Sequence, residues 1–434
     1  MINADLEQEL MNSLLTDPRV AVNLSKKEIG DIVNKFMEEN YCWVKKTLQM
    51  AFLWPYDSAK RKYAGRFFIL FNIVHAFLSN TWTVTHKTFR KPIDFEFLIA
   101  NLFEWMVVLV VLMAYTLMIL KGLDMQIFFK LSTLDMVNII EQDERIELEK
   151  CIRRQYNLSR IFGVLIAVSF VGFAIMPGLF PVIGEFLIPY LDGNFTFKKT
   201  LCTTADLILD RDDYFYLWYF YTWVYMAVQA TVVISIAMSF LYIVSYTEGK
   251  FNIVGLGLHK LYEFTSADNF VNNKKVDDKI HEMMREVHIN HFRCIEYCNH
   301  VNRISRSLLF ILWSLILASL SFTGSMSVIL IHSNLIVFLE MSVSFGCAVS
   351  LGFFISYSGQ IVTDASGSLY EKAYNCGWYH FPKRSIVYVQ LMLVRCIRPC
   401  ELNAGPSVIR LNYESFSVIM NTAMSYITVM VSLV

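Results

Sequence analysis

The chain has no surplus of charge of either sign: its 38 Lys and Arg are balanced by 38 Asp and Glu. Nucleic-acid binding needs a basic surface against the phosphates, so no nucleic-acid partner is expected. Charge is also sparse, 18% of residues, too little for an ordinary soluble domain. Catalytic signatures are missing as well. There is no G-x-S-x-G, no G-x-x-x-x-G-K-[ST] and no H-E-x-x-H, so nothing assembles a nucleophile, a phosphate cradle or a zinc-protease site, and an enzyme is not expected. The opening MINADLEQELMNSLLTDPRV is acidic and lacks a basic stretch followed by an apolar run, so no cleaved signal peptide is expected. Internal repeats are also lacking, and inverted repeats with broken helices are what a secondary transporter would show.

What the chain has instead is apolar length. Hydrophobic residues make up 55% and aromatics 15%, with a mean hydropathy of +0.43, the composition of a protein that crosses a bilayer repeatedly. A hydrocarbon core of about 30 Å takes roughly 20 apolar residues as helix. Runs of about that length lie at Phe67–Thr85, Phe97–Leu120, Ile161–Ile183, Tyr214–Val244, Leu308–Ile331, Leu335–Tyr357 and Phe416–Val434. The expected fold is an all-α membrane protein with seven transmembrane helices. Three regions follow: residues 1–66 as a polar, basic-ending tail, residues 67–357 as helices one to six with their charged extensions, and residues 358–434 as a short amphipathic helix and the seventh span. The apolar run Ser385–Val394 is too short to cross.

Lys and Arg set the orientation. Of 38, 32 fall in residues 1–66, 121–160, 250–306 and 372–410, all on one side of the seven spans. Positive charge stays cytoplasmic, so the N-terminus is expected inside and the C-terminus outside. This opposes a G-protein-coupled receptor, whose N-terminus is outside. Of the nine cysteines only Cys202 sits in an expected outer loop, so it has no outer partner for a disulfide. Asp-Arg-Tyr at the inner end of span three and Asn-Pro-x-x-Tyr in span seven are both missing.

On the cytoplasmic side, Ile280, Met284, Val287, His291, Cys294, Cys298, Val301 and Leu308 step by four and three, with Ser305 in the gap. That is a heptad seam running into span five. A second charged helix is expected over about Leu131–Arg154, and helices projecting below the membrane would pack into an anchor region. His288, His291, Cys294, Cys298 and His300 offer metal-type ligands on this seam, but their spacing matches no closed zinc pattern. No metal and no cofactor are expected.

Two sets of residues carry functional expectations. In the last span, Asn421, Ser425, Thr428 and Ser432 recur on one helical face; spacing alone fits either polar packing between helices or a pore lining. In the outer halves of the other spans lie Asn101, Phe103 and Trp105, then Phe170, Phe173 and Met176, then Tyr214, Trp218, Tyr221 and Tyr225. The last four fall at i, i+4, i+7 and i+11, one helical face. An aromatic belt at the interface and an apolar pocket with a few polar groups are both consistent with them. His75, Glu104 and Glu340 are costly in lipid and must face protein or water.

The C-terminal fifth contains, in order, SYSGQ at 356–360, AYNCGWY at 373–379, NAGP at 403–406, LNYESF at 411–416 and SY at 425–426. That ordered set resembles the C-terminal signature of insect odorant receptors. Gustatory receptors of the same superfamily typically carry Gln-Phe near the end of this helix, where this chain has Ser432-Leu433. The resemblance implies a ligand-gated, non-selective cation channel in the plasma membrane of olfactory sensory neurons, built as a tetramer with the shared odorant receptor coreceptor. It implies a small volatile organic ligand held among spans two to six, and Na, K and Ca as permeating cations. Counting from Tyr426, it puts the gate on Val429 and Leu433, with Ser432, Ser425 and Thr428 toward the ion path. The coreceptor has a much longer insertion between spans four and five than the roughly 60 residues here, which implies an odorant-tuning subunit.

The orientation also sorts the three sequons. Asn194-Phe-Thr196 is expected outside and glycosylated, and those at Asn23 and Asn157 inside and bare. Endoglycosidase treatment should therefore lower the apparent mass of the expressed chain, and Asn194→Gln should abolish that shift. Unchanged mobility of the untreated and treated protein would place this loop on the other side.

Overall fold

A computed structural model of the protein describes residues 26–88, 95–138, 141–170, 214–266, 274–330, 335–405 and 409–432. Hydrocarbon offers a backbone no hydrogen-bond partners, and helices satisfy themselves. Among the described residues, the chain is accordingly helical apart from short connections and one two-residue hairpin.

Residues 26–66 of the stretch expected as a polar tail are folded. They form α1 (Lys26–Asn40) and α2 (Cys42–Met50), whose apolar stripes bury Val33, Met37, Val44 and Leu48. Trp54, just after α2, ties back to α1, its Nε1 donating to Asn34 Oδ1 at 2.9 Å. The pair docks on later helices through two polar pins, the Tyr115 hydroxyl donating to the Ala51 carbonyl at 3.0 Å and Ser235 Oγ to the Thr47 carbonyl at 2.8 Å. Next come α3 (Ala59–Thr88), α4 (Phe95–Leu120), α5 (Gly122–Asn138) and α6 (Gln142–Phe170). Between α4 and α5 the axis bends by 60°. The charged helix expected at Leu131–Arg154 is thus shared between α5 and α6.

Three long helices follow: α7 (Phe215–Ser266), α8 (Lys274–Leu330) and α9 (Leu335–Tyr374), with 52, 57 and 40 residues. At 1.5 Å per residue they measure about 78, 86 and 60 Å, far more than a hydrocarbon core, so each runs on well beyond it. The charged-end halves of α8 and α9 pack with α10 (Lys383–Cys396), and α7 packs on α8 and α9. The heptad seam is the core of that bundle: Ile280, Met284, Val287, His291, Cys294, Cys298 and Val301 are all buried, against Val389, Met392 and Cys396 of α10. Asp135 on α5 sits there too, accepting from Lys250 Nζ at 2.7 Å and from the Tyr246 hydroxyl at 2.5 Å. Arg154 pairs with the buried Glu248. Removing one member of such a pair strands a buried charge.

A hairpin, β1 (Asn403–Ala404) with β2 (Ile409–Arg410), leads into α11 (Tyr413–Ser432). By length and composition α7, α8, α9 and α11 can cross a membrane, and the bent α4–α5 pair makes a fifth candidate. The third expected span leaves the described residues after Phe170.

At the seam, His291 Nε2 lies 3.6 Å from Cys396 Sγ, and among the described residues no three His, Cys, Asp or Glu are placed to hold a metal ion. Burial, with the Arg395 charge adding, pushes the His291 imidazole down to about 4; burial and Arg303 do the same to His300. Unfolded, both would titrate near the usual 6.5, so between about pH 6.5 and 4 the unfolded chain binds protons that the folded one refuses. Stability should therefore be lost as pH falls through that window, at about 1.4 kcal/mol per pH unit for each histidine, and be insensitive to these groups above it. Thermal midpoints of detergent-solubilised protein measure this, and His291→Gln should flatten part of the slope.

Candidate functional site

Two places hold polar chemistry where the surroundings are apolar. The first is the junction of α3, α4 and α7, which pack against one another. On α3, Asn72, His75, Ser79, Asn80 and Thr83 follow i, i+3, i+7, i+8 and i+11, a single polar face. His75 Nδ1 and the Tyr221 hydroxyl of α7 lie 2.6 Å apart. Trp105 of α4 donates from Nε1 to Thr81 Oγ1 at 3.0 Å and packs its ring on Phe77 with centroids 5.3 Å apart. Along α7, Trp218 meets Tyr221 edge-on at 6.0 Å, and Tyr221 stacks on Tyr225 at 6.4 Å. The Tyr225 hydroxyl sits beside the Asn80 and Gln229 amides, with Glu104 nearby. Asn101 is fully buried.

Asn101, Trp105, Trp218, Tyr221 and Tyr225 thus lie on the helices of one junction. Tyr214 does not join them, being half exposed at the start of α7. The side chains of Phe103 and Phe170 lie outside the described residues, as do Phe173, Met176 and Asn194. What the sequence reading missed is the wall supplied by α3: Ser79 and Asn80, with Gln229 opposite on α7. The signal was present as polar residues at helical spacing in the first span. A separate cavity of about 60 Å3, bounded by Met118, Met125, Phe128, Ile236, Phe240 and Val301, contains none of the expected residues.

The second place is α11. One side is anchored: Ile419, Ala423 and Ile427 are buried against α8 and α9. Ile427 reaches so far into α8 that a Cβ on Gly324 would stand 2.4 Å from it. The other side is uncovered. Glu414, Ser417, Asn421, Ser425, Thr428 and Ser432 are all exposed on one face, and Val429 is 56% exposed beside them. Ser425 and Thr428 donate back to the carbonyls of Asn421 and Met424, at 3.0 and 2.9 Å, and Ser432 to that of Val429 at 2.7 Å. Their oxygens therefore keep acceptor capacity toward whatever lies outside. Leu433 is outside the described residues.

The base of α11 is clamped. Asn302 of α8 donates to the Glu401 carbonyl at 2.6 Å and accepts from the Asn403 N–H at 2.9 Å, while the Gly405 N–H reaches the Arg306 carbonyl at 2.9 Å. Gly405 has φ +70 and lies against the Phe310 ring, a left-handed conformation that favours glycine. Asn412 caps the helix, its Oδ1 accepting from the Ser415 N–H at 2.8 Å. On the other flank, Gln360 Oε1 accepts from the Tyr413 N–H at 3.5 Å. A Cβ on the neighbouring Gly359 would come within 2.0 Å of the Leu411 carbonyl oxygen, so only glycine admits this approach. The residues of SYSGQ, NAGP and LNYESF therefore meet in one joint.

Residues 94–424 match a family model described as 7tm Odorant receptor. No curated protein matches the chain. Among solved structures, the chain is similar to the insect olfactory receptor OR5 from Machilis hrabei in complex with eugenol, with a TM-score of 0.73 at 10% identity. The structure of OR5 from Machilis hrabei also matches, at 0.70 and 10%. Each alignment covers 93% of this chain and 100% of the other, and identity this low shows a common fold alone.

The joint yields a graded prediction. Asn412→Ala should cost about 1 kcal/mol for a lost cap. Gly359→Ala should cost more, about 1–3 kcal/mol or beyond, because backbone has to move. Thermal midpoints and surface expression read both, and equal behaviour of Gly359→Ala and the parent would contradict the close approach.

Proposed function

The chain belongs to the 7tm odorant receptor family, and from that premise we propose that it is an odorant-gated, non-selective cation channel subunit working with the odorant receptor coreceptor. The observation that carries this reading is α11. A helix whose apolar side is locked to its own chain, and whose Asn, Ser and Thr face is left uncovered, is the helix expected to line water. Four such helices around one axis would enclose a polar path for Na, K and Ca. Val429 and Leu433 would close it as an apolar constriction that dewets, with Ser425, Thr428 and Ser432 meeting the ions when it opens.

The same reading has seven helices crossing the plasma membrane of olfactory sensory neurons. The N-terminus is inside, and the bundle of α7, α8, α9 and α10 forms a cytoplasmic anchor. The ligand is a small volatile held at the outer ends of α3, α4 and α7. The eugenol complex of OR5 supports a small organic ligand in this fold. Binding would favour one arrangement of α7 over another, and α7 packs on α9, which carries the joint at the base of α11. A gustatory-type channel or a transporter are the readings it displaces.

Whole-cell current tests it, in cells expressing this chain with and without the coreceptor, during pulses of esters, terpenoids, alcohols and aldehydes. Fast inward current that requires the coreceptor is expected, with altered permeation in Ser425→Ala and altered closing in Val429→Ala. Substrate uptake without current would sink the channel reading.

A further inference from the structure

The α3–α4–α7 junction contains more than its closed pairs. Asn101 is 0% exposed, and both its Nδ2 and its Oδ1 lack a hydrogen-bond partner among the described residues. On the two helices packed beside α4, Asn80 Oδ1 and Ser79 Oγ of α3 and Trp218 Nε1 and Gln229 Nε2 of α7 are in the same condition, in residues between 2% and 9% exposed. The neighbouring hydroxyls show the usual solution: Thr83 donates to the Ser79 carbonyl at 2.9 Å and Trp105 to Thr81 at 3.0 Å. Buried polar groups in native proteins are almost always paired, and inside a membrane the penalty for leaving them unmade is large. Five such residues on three helices that meet describe a site with a missing occupant.

The unmet groups are of both kinds. Asn101 Nδ2, Trp218 Nε1 and Gln229 Nε2 need an acceptor, while the Asn101 and Asn80 oxygens need a donor. Exchanging the amide atoms of Asn101 changes nothing, because both ends are open. A hydrocarbon answers neither need. An ether, ester or aldehyde accepts only, and would leave the amide oxygens stranded. A hydroxyl does both.

We propose that this junction selects a volatile bearing a hydroxyl group, an alcohol or phenol whose carbon skeleton packs on Trp218, Tyr221 and Tyr225 and whose oxygen bonds to Asn101. The proposal rests on the ligand site assigned above. Ordered water would hold these groups in the empty site and leave when the hydroxyl arrives.

The test uses matched series. For each of several skeletons (a linear eight-carbon chain, a monoterpene and a phenylpropanoid), the alcohol, its methyl ether, the aldehyde and the hydrocarbon are applied to the full chain with the coreceptor. Half-maximal concentrations are read from current. In parallel, thermal stabilisation of the purified complex by the same compounds reads binding without gating. The hydroxyl member of a responding skeleton is expected to be about ten- to hundredfold more potent than its methyl ether. Asn101→Leu should bring that ratio near one. This variant removes unpaired polar atoms and keeps the volume, so it is expected to fold; Gln229→Met provides a second one. Alcohol-selective stabilisation without current would overturn the channel reading and support the hydroxyl site. Current with equal potency for alcohol and ether, or an alcohol preference that survives both substitutions, would overturn the hydroxyl site and leave the channel reading standing. No stabilisation by any alcohol would overturn it too, with water alone filling the junction.

Discussion

Lipid makes no hydrogen bonds, and most of this structure follows from that fact. The backbone closes on itself in helices, and side-chain hydroxyls follow suit. Ser321, Thr323, Ser325 and Ser327 of α8 each donate to the carbonyl four residues earlier, at 2.6–2.8 Å, which lets small polar residues sit in apolar surroundings at little cost. Against this thrift, the uncovered face of α11 and the unpaired amides of the α3–α4–α7 junction are conspicuous. Both places have polar capacity that the chain itself does not consume.

Between them the chain is built for stiffness. α7 is continuous from the junction, at Trp218 and Tyr225, to the charged bundle, where Lys250 is pinned to Asp135. There it packs on α9, whose Gly359 and Gln360 hold the start of α11. Packed interiors pass displacement on, since they have few empty spaces to absorb it. The N-terminal α1–α2 pair adds a wedge, tying α2 to Ser235 in the middle of α7.

Hydropathy alone located α4, α7, α8, α9 and α11, because an apolar run near 20 residues has few alternatives. The heptad seam of α8 was equally legible: a spacing of four and three fixes one face, and Met284 to Val301 are buried as that face requires. Neighbours were not legible. Periodicity says that His75 and Asn80 share a side of α3, but not that Tyr221 and Tyr225 of α7 lie opposite, since nothing local encodes the partner. The 60° turn after Leu120 was hidden for a similar reason, with apolar residues on both sides of Lys121. Val33 and Leu48 were lost in a stretch whose average polarity masks two narrow apolar stripes. The role of the C-terminal motifs became physical only with the joint assembled. Gly359 is there for a carbonyl, Gly405 for a left-handed turn, and Asn412 for a cap.

That joint also limits how α11 can move. Only two residues, Leu411 and Asn412, separate the hairpin strand from the first turn of the helix, and Leu411 is itself bonded to Leu402 at 2.8 Å. Sliding along the helix axis would tear that hairpin from α8. Pivoting would not. Val429 stands sixteen residues beyond Tyr413, about 24 Å along the helix, so a tilt of roughly 10° about the base would carry its side chain about 4 Å sideways. In the proposed channel, four such levers hinged at the same depth would open as a cone, widest at the far end and almost still at the pivot.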